Sequence, residues 1–172
     1  MSLQSNDFEL FGLTQTQKQD RGAIDARWKE LQREAHPDKF AAQGSASQRI
    51  AMQWSVRINE AYRRLKDPLQ RAIYLCELNG VAVNAEKNTA MPADFLMQQI
   101  EWREALEDAK SLEKLHEIAL QATQYVRNQL SKIEQEIDVN NDFKLAVEYI
   151  RALMFVERFA SEVDMRIDQL QQ

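Results

Sequence analysis

Ile24, Trp28, Leu31 and Ala35 follow one another at intervals of four, three and four residues, which predicts one apolar face of an α-helix. Pro37 disfavours helical geometry in the residue before it, so that helix must stop at His36. Upstream, Asp7 to Leu13 is a short apolar-rich run that closes near Gly12, a helix of one or two turns. Downstream, Phe40 to Ser47 reads as a loop around Gly44. A long helix follows it, with Ile50, Trp54, Ile58, Ala61 and Leu65 on one side. Asp67-Pro68 caps and opens a further helix, which carries Ile73, Leu75 and Leu78 to Asn79-Gly80.

Residues 80–91 keep no period and include Asn84, Asn88 and Thr89, so a linker is expected there. Three long helices follow. The first opens at Met91-Pro92 and runs to about Lys110. The second carries Leu112, Leu115, Ala119, Ala122, Val126, Leu130, Ile133 and Ile137. The third carries Ala146, Ile150, Leu153, Val156, Ala160, Val163, Ile167 and Leu170. Steps of three and four residues mark the seam of a bundle. Three such stripes joined by short turns are buried together only in an antiparallel arrangement. No strand pattern competes. The expected fold is all-α in two parts, residues 1–79 and 92–172, joined by the linker over 80–91.

Composition supports this picture. Hydrophobic residues make up 44% of the 172 positions and charged residues 28%, a balance typical of a globular protein. Only 4 Gly and 3 Pro interrupt the chain, which favours long helices. Lys and Arg number 22 against 27 Asp and Glu, a net charge of -5, so a nucleic acid partner is not expected. A helix-turn-helix regulator is disfavoured on the same ground. No window approaches the ~18 apolar residues of a membrane span, and the N-terminus shows no targeting pattern. The chain reads as cytoplasmic, with no membrane partner. Cys76 is the single cysteine, which leaves no internal disulfide and no thiolate cluster for zinc or iron–sulfur ligation. It is expected to pack as a small hydrophobe. His116 is expected in a packing or surface role. No cofactor and no resident metal are expected.

The candidate chemistry lies at His36-Pro37-Asp38, between two amphipathic helices. Pro37 stiffens the backbone, so His36 and Asp38 project in a fixed relation and lose less entropy on binding. Asp38 suits a charge-assisted bond with an arginine of a partner. Lys29 and Arg33 lie four residues apart on the preceding helix, and Arg27 adds charge on an adjoining line. Taken alone, His36 could simply favour a helix C-terminus and Pro37 could be an ordinary stop. A His36/Asp38 hydrolase would need a nucleophile or base in a recognisable arrangement, and none is seen.

In combination with its flanks the tripeptide resembles the signature of a J-domain. Asp7 to Leu13 is similar to that domain's opening helix. Trp28 to Ala35 leads into His36-Pro37-Asp38-Lys39 as its second helix leads into the signature loop. Ile58 to Leu65 and Asp67 to Ala72 are similar to its third and fourth helices. One departure is Ala35, where most J-domains carry a larger, often aromatic residue, and this bears on local packing. The resemblance implies that residues 1–79 are a J-domain, a helical hairpin with its loop at the tip. It also implies that His36, Pro37, Asp38, Lys39, Arg33, Lys29 and Arg27 meet a DnaK-type chaperone and stimulate its ATPase. The chain itself shows no phosphate-binding glycine loop. It is expected to be no enzyme.

In the second part, Phe95, Trp102, Leu106 and Ala109 share one face of the first long helix and suit a bundle core. Leu96, Met97 and Ile100 lie on a second line that runs on into Glu101, Glu104 and Asp108. Phe155 lies two residues from Leu153, roughly on the other side of the last helix's stripe. The second line cannot all turn inward with the first, so an apolar patch with an acidic tail is expected on the outer surface, of the kind that marks partner sites. On periodicity alone, Leu96, Met97 and Phe155 could instead widen the core. The whole chain is similar to the HscB family of J-domain co-chaperones, which serves iron–sulfur cluster biogenesis. That resemblance implies an L-shaped arrangement of J-domain and bundle, with no cofactor. Its chaperone partner would be HscA. It further implies that Leu96, Met97, Ile100 and Phe155 form an apolar contact with the scaffold protein IscU, flanked by Glu101, Glu104 and Asp108. Asp108 stands where a longer Glu can occur. Mitochondrial members often carry a Cys-rich N-terminal extension; none stands here, so a bacterial type is expected. A generic J-domain co-chaperone with a different client is the alternative.

Overall fold

The computed structural model describes residues 2–84 and 90–172; residues 85–89, among them Asn88 and Thr89 of the expected linker, lie outside that description. Among the described residues the chain is helical throughout, with no β-strand. It divides into two compact units, Met1–Leu75 and Cys76–Gln172.

The first unit begins with α1 (Asp7–Phe11). Asn6 and Glu9 cap it reciprocally, each side chain accepting from the other's backbone N–H, and Gly12 closes it in the left-handed region at φ 64°. Helix α2 spans Arg21–Ala35, and its end follows from Pro37, which holds His36 extended at φ -64° and ψ 126°. The expected loop is largely absent. Pro37 opens a 3₁₀ helix that runs to Gln43, Gly44 breaks it at φ 97°, and α3 (Ser45–Lys66) starts at once. Proline has no N–H to lose at a first turn and its φ is preset for one, so it both stops one helix and starts the next.

Helices α2 and α3 form a hairpin fastened by aromatic and polar groups. Trp28 stacks on Tyr62 with ring centres 4.7 Å apart, and its indole N–H donates to Asn59 at 2.9 Å. Gln32 donates to the same Asn59 oxygen and accepts from Ser55. Tyr62 donates to Asp25 at 2.7 Å, and that bond, with a second from Arg21, holds the Asp25 carboxyl below its ordinary range. Ile24 and Leu31 are buried against Ile58, Ala61 and Leu65. Ile50, expected on the same stripe, is exposed. Ala51, one position on, is the buried residue there, because α3 is turned so that its inward line passes through Ala51, Ile58, Ala61 and Leu65.

One carboxylate organises this unit. Asp7 is fully buried, and Arg64 grips it with two bonds of 2.6 and 2.9 Å. Arg57 stands 2.8 Å away, and the Tyr74 hydroxyl oxygen accepts a hydrogen bond from the Asp7 N–H at 3.0 Å. Asp7 in turn raises the Arg64 guanidinium further above its ordinary value. Helix α4 (Pro68–Leu78) is capped by Asp67, which accepts from the Leu69 and Gln70 N–H groups. It buries Leu69, Ala72, Leu75 and Cys76; Ile73 is half-buried and Leu78 exposed, so the expected stripe is shifted by about one residue.

The second unit is an antiparallel bundle of α5 (Ala93–Asp108), α6 (Leu112–Glu134) and α7 (Phe143–Gln171). Phe95, Trp102, Leu106 and Ala109 are buried as the spacing predicts. Trp102 lies flat on Phe159 of α7 at 5.4 Å and edge-on to Tyr125 of α6 at 5.2 Å, so one indole joins all three helices. The apolar stripe of α6 continues to Ile137 through a π-helical turn, Gln135–Asn140; Asn141 is left-handed, and Asp142 caps α7. At the far end of α7 the buried stripe ends at Val163, and Leu170 is exposed. The guanidinium of Arg151, itself buried, bonds the carbonyls of Val83 and Ala90. This accounts for an arginine inside an apolar stripe: it satisfies backbone acceptors that the helices leave over.

Asp7→Asn removes the charge that two guanidinium groups share. It should lower stability by roughly 3 kcal/mol in a urea melt, and an unchanged midpoint would show that the pairs are inert. Cys76 is buried, and burial pushes its thiol up to about 12. The native protein at pH 8 should therefore react with a disulfide reagent at least a hundredfold more slowly than the urea-unfolded chain; equal rates would contradict the burial.

Candidate functional site

The turn His36-Pro37-Asp38 closes the α2–α3 hairpin at the solvent. The side chains of His36 and Asp38 are 57% and 90% exposed. Nδ1 of His36 accepts from the Asp38 N–H at 3.3 Å and lies 3.6 Å from its carboxylate, so the ring is folded over its own turn. With Nδ1 accepting, the neutral ring carries its proton on Nε2, the nitrogen left for a second molecule. Among the described residues Asp38 is the ring's polar partner, and no nucleophile stands beside it. The arrangement suits recognition by another surface and lacks the parts of a hydrolytic centre.

Lys29, Arg33 and Lys39 are exposed near the turn. Arg27 differs: it is half-buried and pairs with Glu30 at 2.9 Å, so part of its charge is neutralised within α2. The unit as a whole is basic, with twelve Lys and Arg against nine Asp and Glu in residues 1–75, a formal +3. Residues 76–172 hold ten against eighteen, a formal -8. The overall acidity thus hides two units of opposite sign.

On the second unit, α5 presents its other face to solvent. Leu96, Met97 and Ile100 are 47%, 64% and 57% exposed, and Glu101, Glu104 and Asp108 continue the same face as exposed carboxylates. Nothing in the bundle covers these three apolar side chains, whereas Phe95 and Trp102 on the opposite line are sealed. Phe155 is a mixed case. It is half-buried, packs on the bundle core and lies under the Arg158 guanidinium at 5.5 Å, yet it also lines a hollow of about 310 Å³ with Ile100 and Glu104. Three residues that the apolar pattern does not single out share that hollow: Gln99, Arg103 and Glu107. Their four-residue spacing beside Ile100 and Glu104 was the available signal. Arg103 forms an ion pair with Glu162 and lies over the Phe159 ring. His116 is exposed on α6.

Among the described residues no group of three His, Cys, Asp or Glu side chains is placed to hold a metal ion, and no helix is long and apolar enough to cross a membrane.

Residues 91–164 match the family described as the HSCB C-terminal oligomerisation domain. The chain is 45% identical to the co-chaperone protein HscB homolog of Burkholderia multivorans and equally to that of Burkholderia cenocepacia, with 99% of each chain covered. Among solved structures, the chaperone HscB from Vibrio cholerae superposes with a TM-score of 0.83 at 34% identity over 96% of this chain and 99% of that one. Human co-chaperone protein HscB gives 0.84 at 23% identity over 99% of this chain and 84% of its own, a likeness of fold.

Proposed function

The chain belongs to the HscB family of co-chaperones, and on that premise we propose that it presents the iron–sulfur scaffold protein IscU to the DnaK-type chaperone HscA and stimulates the chaperone's ATP hydrolysis. The observation that carries this reading is the pairing of two exposed features of different chemistry on one chain. One is a proline-stiffened imidazole and carboxylate at the tip of a basic hairpin; the other is an uncovered apolar line with an acidic continuation on a bundle helix.

The first feature fits an acidic surface that offers an arginine. Asp38 supplies the charge-assisted bond, Pro37 keeps it aimed, and Lys29, Arg33 and Lys39 steer the encounter. Arg27, paired with Glu30, contributes less. The ATP chemistry is the partner's, so the chain acts by holding the chaperone in its hydrolysing state rather than by touching the nucleotide. The second feature fits a client with an apolar patch rimmed by basic groups. Leu96, Met97 and Ile100 supply the desolvated centre, Phe155 the floor of the adjoining hollow, and Glu101, Glu104 and Asp108 the charged rim. Both partners held on one chain meet at raised local concentration, which favours passing the client to the chaperone. This reading places the chain in the bacterial cytoplasm, requires no cofactor, and needs neither nucleic acid nor membrane.

His36→Gln should abolish stimulation in a steady-state ATPase assay with the chaperone while the melting curve and IscU binding stay as in the parent. Normal stimulation would remove the turn from the mechanism. Leu96→Ala combined with Met97→Ala should weaken IscU binding by about 2–3 kcal/mol in calorimetry. Both positions are exposed, so the melting temperature should hold within about 2 °C; an unaltered titration would rule out the α5 face as the client's seat.

A further inference from the structure

Beside the His36-Pro37-Asp38 turn the first unit contains a cavity of about 350 Å³ that its own side chains do not fill. Leu31 and Ala35 of α2, Phe40 of the 3₁₀ helix and Ile50 and Trp54 of α3 stand around it, and Glu34 is its one charged lining residue. Its existence follows from side-chain size. The 3₁₀ helix, Pro37–Gln43, joins α2 to α3 here and lends Phe40 and Gln43 to the lining. Ala35 is among the lining residues, and its methyl group fills less space than any larger side chain would at that position. Phe40 and Trp54 are half-buried, and Ile50 is 55% exposed although it sits among apolar neighbours. Interiors of proteins are packed densely, and an open apolar space of this size within a small unit is unusual unless something enters it.

What enters can be argued from the position of the mouth. Ala35 and Phe40 bracket His36 to Lys39 directly in the chain, so a surface seated on the turn lies beside the cavity opening. The walls are mainly apolar, with Gln43 and Ser47 as neutral polar lining residues and Glu34 as the charged one, so the fitting occupant is an apolar side chain with a cationic neighbour. We propose that this cavity seats one apolar side chain, accompanied by a basic residue, of the same chaperone that meets the His36-Pro37-Asp38 turn. This rests on the function proposed above and adds to it a second point of attachment. The polar turn supplies direction and the triggering contact. The cavity supplies a desolvated anchor of the kind that carries most of the affinity at an interface. Two points of unlike chemistry also fix the rotation of the hairpin on its partner, which a single exposed turn does not.

Two variants of the full chain test it with the chaperone as the probe. Ile50→Glu places a charge at the rim of the cavity on an exposed position, and Ala35→Leu fills the space from within. Each should raise the concentration needed for half-maximal ATPase stimulation about tenfold, the effect of losing one anchor, while maximal stimulation at saturation persists. The melting temperature should be unchanged for Ile50→Glu and unchanged or higher for Ala35→Leu, since the latter fills a void. Parent-like half-saturation in both folded variants would overturn the proposal. So would a change confined to the chain's own sedimentation, which would assign the cavity to a second copy, or stabilisation of the chain by free indole with chaperone affinity untouched, which would assign it to a small ligand. His36→Gln separates the two readings. If that variant stimulates normally, the function proposed for the turn fails. If it is inactive while Ile50→Glu and Ala35→Leu behave as the parent, the cavity proposal alone fails.

Discussion

The arrangement of the first unit depends on the ring of Pro37. A proline cannot sit after a helical residue without crowding it, so the chain leaves the α-helix at His36 and nowhere else. The same ring begins the 3₁₀ helix that follows, because its fixed φ suits a first turn. His36 is thereby held extended between two helical segments, with its imidazole bonded to the N–H two residues on. The exposed pair is a by-product of backbone stereochemistry, and its rigidity costs no tertiary packing. This explains how a tip so open to solvent can keep a defined shape.

Below the tip, the hairpin is fastened by a set of polar groups. Asn59 accepts from both Trp28 and Gln32, and Tyr62 serves at once as a stacking surface and a donor to Asp25. At the base, the Asp7 carboxylate gathers Arg57 and Arg64 from α3. Breaking one member of such a set leaves an unpaired charge out of water, so these contacts act chiefly against alternative packings. The bundle reaches definition by a different route. Its core is apolar, centred on Trp102, and the buried guanidinium of Arg151 serves backbone carbonyls.

Much of this was legible in the chain. Helix ends were readable wherever proline, glycine or a capping side chain acts locally, as at His36, Gly12 and Asp67. The core line of α5 was readable because Phe95, Trp102, Leu106 and Ala109 differ in kind from their neighbours. The exposed line was legible in part: two lines cannot both turn inward, which predicts an outer patch, but Leu96, Met97 and Ile100 have the same composition as a core stripe, and only the position of α6 and α7 decides which line is covered. The rotation of α3 was hidden for a related reason. Ile50 fits the apolar period better than Ala51, yet burial follows the neighbour's surface rather than the residue's hydrophobicity. Arg103 and Glu107 were masked by their charge, which reads as ordinary solvent-facing polarity until Phe155 is placed beside them. Arg27 looked available until Glu30, three residues on, was found holding it.

The opposite formal charges of the two units, +3 and -8, have a kinetic consequence. An anionic molecule and a cationic molecule approaching the same chain are drawn to different units. Attraction of this kind reaches only about 8 Å at physiological ionic strength. It therefore sorts visitors at the last moment of approach and leaves the choice between close rivals to the short-range fit of the surfaces.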